Sequence, residues 1–240
     1  MPLHFRVLLC LAVGAENINH LVCDHLLYFV ACNREICARV ENGGIVCENT
    51  ADSGCHGETD IGVDIYKPIY MEEEIEVTTF AEISHGVKFG RTYEVRRGGE
   101  LVALAHAQFA LVRISDRSFV RVDELGHTFD AEERSSATTF DSRIKPVKTE
   151  EMTAAGKFTV PYSFIDRNSH MNNTWYADML LSAVPDFSAE RVSAFCISYL
   201  HEAKLGEELS LSYSFDGEKY TVKSTFADGS VNALAAVIMK

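Results

Sequence analysis

Long apolar runs are missing from this sequence of 240 residues. None approaches the ~18 consecutive apolar residues that a membrane-spanning helix needs, so we expect no membrane segment. A cytoplasmic location is a separate expectation. Basic residues are scarce as well, because 22 Lys and Arg face 35 Asp and Glu, a net charge of −13. This surplus of acid repels phosphate backbones and anionic lipids, which argues against nucleic acid as a partner apart from any local basic patch.

Paired cysteine motifs are also absent. The seven cysteines are an odd number, and none belongs to a C-x-x-C pair. Cys23-Asp24-His25 and Cys55-His56 alone make a poor zinc signature. We therefore predict no metal and no cofactor, and we expect most of the cysteines to be buried reduced thiols. A disulfide or an adventitious metal is the alternative.

Residues 1–15 support two interpretations. His4 and Arg6, followed by the apolar run 7–13 and Gly14-Ala15, resemble a short secretory signal. The same residues also fit a buried first strand, which the repeat described below requires. We prefer the strand, because the segment before the apolar run carries little charge. If the secretory signal were present, the cysteines would become a disulfide question.

The hydrophobic content of 47% is enough for a large core, and the predicted elements form a pattern that occurs twice. The first half predicts a strand at residues 3–13 and an amphipathic helix at 18–40. A Gly- and Cys-containing stretch at 48–62 predicts a loop. Alternating apolar residues then predict four strands: 63–70, 74–80, 89–97 and 101–114.

Residues 115–157 are charged, rich in Ser and Thr, and predict a linker that crosses the surface. After the linker the first pattern returns, with a strand at 158–165 and a helix that ends by Pro185. Four further strands are predicted at the end of the chain: 194–201, 209–215, 219–226 and 231–239. Asp-Gly pairs predict the turns between the last three.

These patterns predict an α+β protein of two tandem units, each an antiparallel sheet wrapped around a central helix. The first unit spans residues 1–114, the linker 115–157, and the second unit 158–240. Two such units would pair their sheets side by side and so bury otherwise exposed edges. A coincidental similarity between two meanders is the alternative.

A polar turn lies between the strand and the helix of the second unit. Asp166, Asn168 and His170 alternate there, so an extended backbone would point all three to one side. Asn172 or Asn173 is suited to cap the helix. A carboxylate, an amide and an imidazole would then meet near a helix N-terminus, which favours developing negative charge. The alternative is an Asx-rich turn that only satisfies its own backbone.

This motif, Asp166-x-Asn168-x-His170-x-Asn172-Asn173 before an aromatic helix, resembles the second half of acyl–acyl-carrier-protein (acyl-ACP) thioesterases. The resemblance implies a double hotdog fold and the release of fatty acids from acyl carrier protein. It extends over nearly the whole chain in layout, whereas specific motifs occur only in the C-terminal half.

A second run, YLHEAKLGEEL at residues 199–209, resembles the family's strand that bears a functional glutamate, here Glu202. The family often has a cysteine directly after this glutamate. Ala203 occupies that position, so a Cys-His-Asn mechanism through it is excluded. The resemblance therefore leaves a carboxylate mechanism, or an inactive member of the family.

The resemblance implies catalytic roles for Asp166, Asn168, His170 and Glu202. Glu202 would be the general base for water or a direct nucleophile, and Asp166 would orient or share the proton. Asn168 and His170 would donate hydrogen bonds to the thioester oxygen. A pocket that excludes water is expected around Glu202.

Substrate contacts are predicted at Asn172 and Trp175, and at Leu26 and Phe29, which would line a tunnel for the acyl chain. Acyl carrier protein is the expected partner, and the Lys and Arg residues at the end of the linker are the candidate docking patch. The alternative is that these charges only form a solvated face. An acyl-CoA thioesterase on the same fold and a non-catalytic acyl-binding protein are the alternatives, and a hotdog hydratase has a differently spaced motif. Both a monomer and a homodimer fit the sequence.

Overall fold

The computed structural model describes residues 3–8, 54–70, 73–83, 86–113, 118–119, 121, 131–133, 136–140, 144, 148–166 and 169–240. Within them lie one α-helix, α1 (Asn173–Leu181), and an 11-stranded sheet. Its strands are β1 (Leu3–Leu8), β2 (Gly54–Ile65), β3 (Glu74–Glu82), β4 (Lys88–Arg97), β5 (Glu100–Arg113), β6 (Ala131–Glu132), β7 (Thr153–Thr159), β8 (Val192–Tyr199), β9 (Glu208–Phe215), β10 (Tyr220–Thr225) and β11 (Val231–Met239). Short 3-10 turns occur at Thr149–Glu151, Tyr162–Phe164 and Ala189–Arg191.

The strand order is β1-β3-β4-β5-β2-β8-β11-β10-β9-β7, with β6 beside β3. Neighbours along this path are antiparallel, and β6 is parallel to β3. Strands from the first part of the chain occupy one side of the sheet, and strands from residue 153 onward occupy the other. The two sides meet where β2 pairs with β8, from Asp60 opposite Ser198 to Asp64 opposite Ala194.

Helix α1 packs on one face of the C-terminal strands and contacts β8, β10 and β11. Its buried side includes Tyr176, Met179 and Leu180. Ala233 and Ala235 of β11 belong to the same hydrophobic core, and their small side chains let the helix lie close to the sheet. Asn172 is the N-cap, as predicted, and its side chain accepts the N–H of Thr174.

The opposite face of the sheet is covered by part of the predicted linker. Alternation along β2 points Gly62 and Asp64 away from the core residues Ile61 and Val63. The buried Asp64 carboxylate accepts the N–H of Thr139 at 2.9 and 3.1 Å. Ile144 is buried in a second cluster with Cys196, Leu234 and Ala236. The described part of the linker therefore packs against the sheet surface.

The predicted hairpin turns are confirmed. Gly217 and Gly229 adopt positive φ values of 99° and 84°, a conformation that glycine reaches without a side-chain clash. Asp216 accepts the N–H groups of Glu218 and Lys219 and so fixes the first of these turns. The strand that follows the second turn, β11, has the predicted bounds of Val231–Met239.

Two strand predictions were wrong. The loop predicted at 48–62 is strand from Gly54 onward. This part of β2 pairs with β5, and from Asp60 also with β8, and the pairing overrides its weak strand pattern. The strand predicted at 158–165 is β7, which begins earlier at Thr153 and ends at Thr159. Its side chains are almost all exposed at the sheet edge, so the sequence shows no apolar alternation there.

Several predictions lie outside the described residues, among them the helix at 18–40 and with it Leu26 and Phe29. Cys196 is a buried free thiol, as predicted, and burial raises its pKa to about 12. In the part of the chain that the structure covers, no helix has the length and apolar character needed to cross a membrane.

Candidate active site

The polar turn before α1 closes where its described residues, 165–166 and 169–171, approach each other. Ile165 and Met171 form an isolated antiparallel bridge, and the N–H of Asp166 donates to the carbonyl of His170 at 2.9 Å. Ser169 has a left-handed backbone with φ of 65°, which turns the chain back on itself. Asp166 and His170 therefore face each other across the loop, and the extended geometry expected from their alternation was wrong.

The side chain and the carbonyl of Asp166 both contact backbone N–H groups of the turn that carries His170. Its Oδ1 lies 3.5 Å from the backbone N of His170, a long hydrogen bond, and its carbonyl accepts the N–H of Ser169 at 3.0 Å. These bonds hold the Asp166 carboxylate beside the backbone of His170. Asn168, the third residue of the motif, lies outside the described residues.

The two sequence motifs meet in space at His170 and Glu202. Nε2 of His170 is 3.0 Å from Oε2 of Glu202, and their side chains are 23% and 60% exposed. The backbone joins the same two segments, since the N–H of Met171 donates to the carbonyl of Ala203 at 2.8 Å. The contact places a carboxylate and an imidazole side by side at the surface.

The exposure of Glu202 departs from the expected water-excluding pocket. The glutamate follows the end of β8 on a turn, where its carboxylate reaches solvent. Ala203, by contrast, is fully buried. A side chain at position 203 therefore points into the core, away from the Glu202 carboxylate.

Two predicted substrate contacts have structural partners at the start of α1. Oδ1 of Asn172 accepts both the N–H and the hydroxyl of Thr174, at 3.0 and 2.9 Å. The indole ring of Trp175 stacks on Phe164 with centroids 4.2 Å apart, and Phe164 also contacts Phe158. Trp175 is thus part of an aromatic cluster beside the loop, and the substrate role of both residues stays a prediction.

Sequence reasoning missed Asn232 and Tyr176. They hold the segment 201–203 that carries Glu202, which we call the Glu202 turn. Nδ2 of Asn232 donates to the carbonyl of His201 at 2.6 Å, and the N–H of Ala203 donates to the Tyr176 hydroxyl at 3.2 Å. A lone amide inside the apolar strand β11 was the available signal for Asn232. Tyr176 had no separate signal, since it lies in the aromatic helix that follows the motif.

The described residues contain no group of three or more His, Cys, Asp or Glu that could hold a metal ion. The chemistry that the site offers is that of a carboxylate next to an imidazole, beside a capped helix N-terminus. Such a pair can take a proton from water and pass it on.

Residues 147–238 match the family model of the acyl-ACP thioesterase C-terminal domain. The predicted family resemblance is confirmed. The matched segment contains the loop, helix α1, the Glu202 turn and nearly all of the last four strands. A search of curated protein sequences finds no match.

Solved structures of acyl-ACP thioesterases resemble the whole chain. The 12:0-ACP thioesterase from Umbellularia californica has a TM-score of 0.79 and 17% identity, over 100% of this chain and 97% of that one. An acyl-ACP thioesterase from Bacteroides thetaiotaomicron has a TM-score of 0.77 and 17% identity, over 100% and 98%. At this identity the likeness establishes the fold, which is of the hotdog type.

Proposed function

We propose that this protein hydrolyses fatty acyl-ACP to a free fatty acid and the carrier protein. The observation that carries the proposal is the 3.0 Å contact between His170 and Glu202, which lies inside the segment that matches the acyl-ACP thioesterase domain. The contact brings together a carboxylate and an imidazole from two motifs that are distant in the sequence. No cofactor is required for the reaction.

In the proposed reaction Glu202 is the general base. Its carboxylate removes a proton from a water molecule as the water oxygen bonds to the thioester carbon, which gives a tetrahedral intermediate. Collapse of the intermediate breaks the carbon–sulfur bond, and the proton on Glu202 passes to the departing sulfur. Because Glu202 is exposed in the free chain, exclusion of bulk water has to come with the bound substrate.

His170 has a defined task in this scheme. An Nε2–H on its ring donates to Glu202 and fixes the direction of the carboxylate, so that one oxygen is available to the water. Asp166 supports the loop that carries His170. Asn168 is proposed as a donor to the thioester oxygen, together with amides at the start of α1.

We further propose two tandem hotdog domains, residues 1–114 and 158–240, joined by the linker 115–157. The division of the sheet into two sets of strands that meet at β2 and β8 supports this arrangement. Helix α1 would be the central helix of the second domain. Leu26 and Phe29 of the first domain remain the proposed lining of the acyl tunnel, and the predicted cytoplasmic location is part of the proposal.

The test is a thioesterase assay with acyl-ACP substrates of several chain lengths, beside matched acyl-CoA substrates. Glu202→Gln keeps the size of the side chain and removes the base, so we expect kcat to fall about 10²- to 10⁴-fold while acyl ligand still binds. Glu208→Gln is the control, because Glu208 is an exposed carboxylate that pairs with Lys157 at the sheet edge.

Three results would change the assignment. Faster turnover of acyl-CoA than of acyl-ACP would give the acyl-CoA thioesterase. Tight binding of acyl ligand without turnover by the natural chain would give the acyl-binding protein. Equal kcat for the Glu202→Gln and Glu208→Gln variants would refute the role of Glu202.

A further inference from the structure

The turn that carries Glu202 is anchored through its backbone to one residue of β11. The carbonyl of Asn232 accepts the N–H groups of both Leu200 and His201 at 3.0 Å. The side chain of Asn232 also donates from Nδ2 to the carbonyl of His201 at 2.6 Å. Three bonds from a single residue therefore fix the chain immediately before Glu202.

A β-bulge directs the Asn232 side chain inward. Ser224 pairs with Ala233 whereas Thr225 pairs with Val231, so Asn232 is the extra residue on β11. Bulges of this kind change the direction of a side chain and are common next to active sites. Asn232 is fully buried, and its Oδ1 accepts the hydroxyl of the equally buried Ser224 at 2.8 Å. This bond fixes which end of the amide faces His201.

Tyr176 anchors the other side of the turn. Its hydroxyl oxygen accepts the N–H of Ala203 and the Nδ2–H of Asn232, both at 3.2 Å. Burial raises the pKa of the phenol, and the two hydrogen bonds offset this only in part, so the group stays neutral. Helix α1 therefore connects the residue after Glu202 to the loop that bears His170.

We propose that Asn232 and Tyr176 are positioning residues that hold Glu202 within hydrogen-bond distance of His170. Neither side chain touches the carboxylate. Both act on the backbone at 201 and 203, on either side of Glu202, and so restrict where its side chain can reach. The inference rests on the proposed function, since it assigns these residues to the same site.

The consequence is geometric. The carbonyl of Ala203 also accepts the N–H of Met171, and this bond holds the turn against the His170 loop. A shift of the turn that breaks this bond would move Glu202 relative to His170. A misplacement of about 1 Å in a catalytic group can lower the rate about 100-fold. Loss of either anchor should therefore lower kcat more than it changes substrate affinity.

The first variant is Tyr176→Phe, which removes one oxygen and keeps the ring that packs against Tyr199. We expect kcat on acyl-ACP to fall about 10- to 100-fold with KM changed less than twofold. Asn232→Leu, of similar volume, should give a loss at least as large. Tyr220→Phe is the matched control, because Tyr220 lies on β10 among the aromatic side chains of the β9–β10 hairpin.

A merely structural defect is distinguished by repeating Tyr176→Phe in a Glu202→Gln background. If Tyr176 acts through Glu202, the second substitution should change the residual single-turnover rate less than twofold. An equal fold-loss in both backgrounds, or a Tyr176→Phe variant with the kcat of the natural chain, would overturn the inference.

If the natural chain hydrolyses neither acyl-ACP nor acyl-CoA, the proposed function fails on its own. The positioning inference is then decided by crystal structures of the natural chain and of Tyr176→Phe. An Nε2–Oε2 separation that lengthens beyond hydrogen-bond distance in the variant supports it. An unchanged separation contradicts it.

Discussion

Asn172 illustrates how one side chain at this site has a clear structural task beside its predicted functional one. Its oxygen accepts two hydrogen bonds from Thr174 at the first turn of α1. The amide nitrogen is the end that a substrate contact would use. The side chain of Glu202 differs from that of Asn172, because its carboxylate reaches solvent and its partner is the His170 imidazole.

Replacing Asn172 with Ala should lower the free energy of unfolding by about 1 kcal/mol, because the N–H of Thr174 loses its capping acceptor. Asn172→Asp keeps an acceptor oxygen at the cap and should retain most of the stability. Urea unfolding followed by circular dichroism measures both. An Ala variant as stable as the Asp variant would show that the cap contributes nothing.

Strands were predicted well where their apolar residues are buried next to a clear turn, and poorly where the strand is exposed or has no apolar pattern. β11 alternates between two buried clusters and follows the clear turn at Gly229, so its bounds were correct. β7 is exposed along nearly its whole length, and the start of β2 has no apolar pattern. Neither β7 nor the start of β2 could be predicted locally, since sheet edges and central ladders are set by distant partners.

The site was predictable only in part for the same reason. The resemblance to a family selected His170 and Glu202, and nothing in their spacing places them 3.0 Å apart. The β-bulge that directs Asn232 inward depends on the register between β10 and β11. A register cannot be read from one strand, so Asn232 was missed.

Contact between β2 and the linker gives a further prediction. A Cβ at Gly62 would lie 2.6 Å from Oγ1 of Thr138 and 3.4 Å from the carbonyl of Phe140. Gly62→Ala should therefore destabilise the fold by about 1–3 kcal/mol through overpacking. The cost should be smaller in a Thr138→Ala background, as measured by chemical unfolding. An equal cost in both backgrounds would refute the close contact.

The two halves of the chain are joined by side chains as well as by the β2–β8 ladder. Asp60 of β2 accepts the hydroxyl of Ser198 at 2.7 Å and pairs with Lys88 at 3.1 Å. Burial raises the pKa of Asp60, but the Ser198 hydrogen bond and the Lys88 ammonium outweigh it and hold the pKa below the usual 3.8. The ionised Asp60 carboxylate thus stabilises the seam, that is, the junction of the two halves where β2 pairs with β8.

This pKa shift predicts the pH dependence of the seam. A carboxyl group whose folded pKa is lowered stabilises the fold above its unfolded pKa, and this contribution is lost as pH falls through the folded value. Asp60→Asn should cost about 1–2 kcal/mol at pH 7, and the difference should shrink below about pH 4. Unfolding free energies measured from pH 7 to pH 3 test this. A difference that stays constant with pH would contradict it.

The central claim is that His170 and Glu202 work as one catalytic unit. The most direct measurement is kcat on fatty acyl-ACP for His170→Ala, Glu202→Gln and the double variant. Residues that act together lose rate non-additively, so the double variant should be no slower than about the slower single variant. Losses that multiply, or a single variant with the kcat of the natural chain, would contradict the claim.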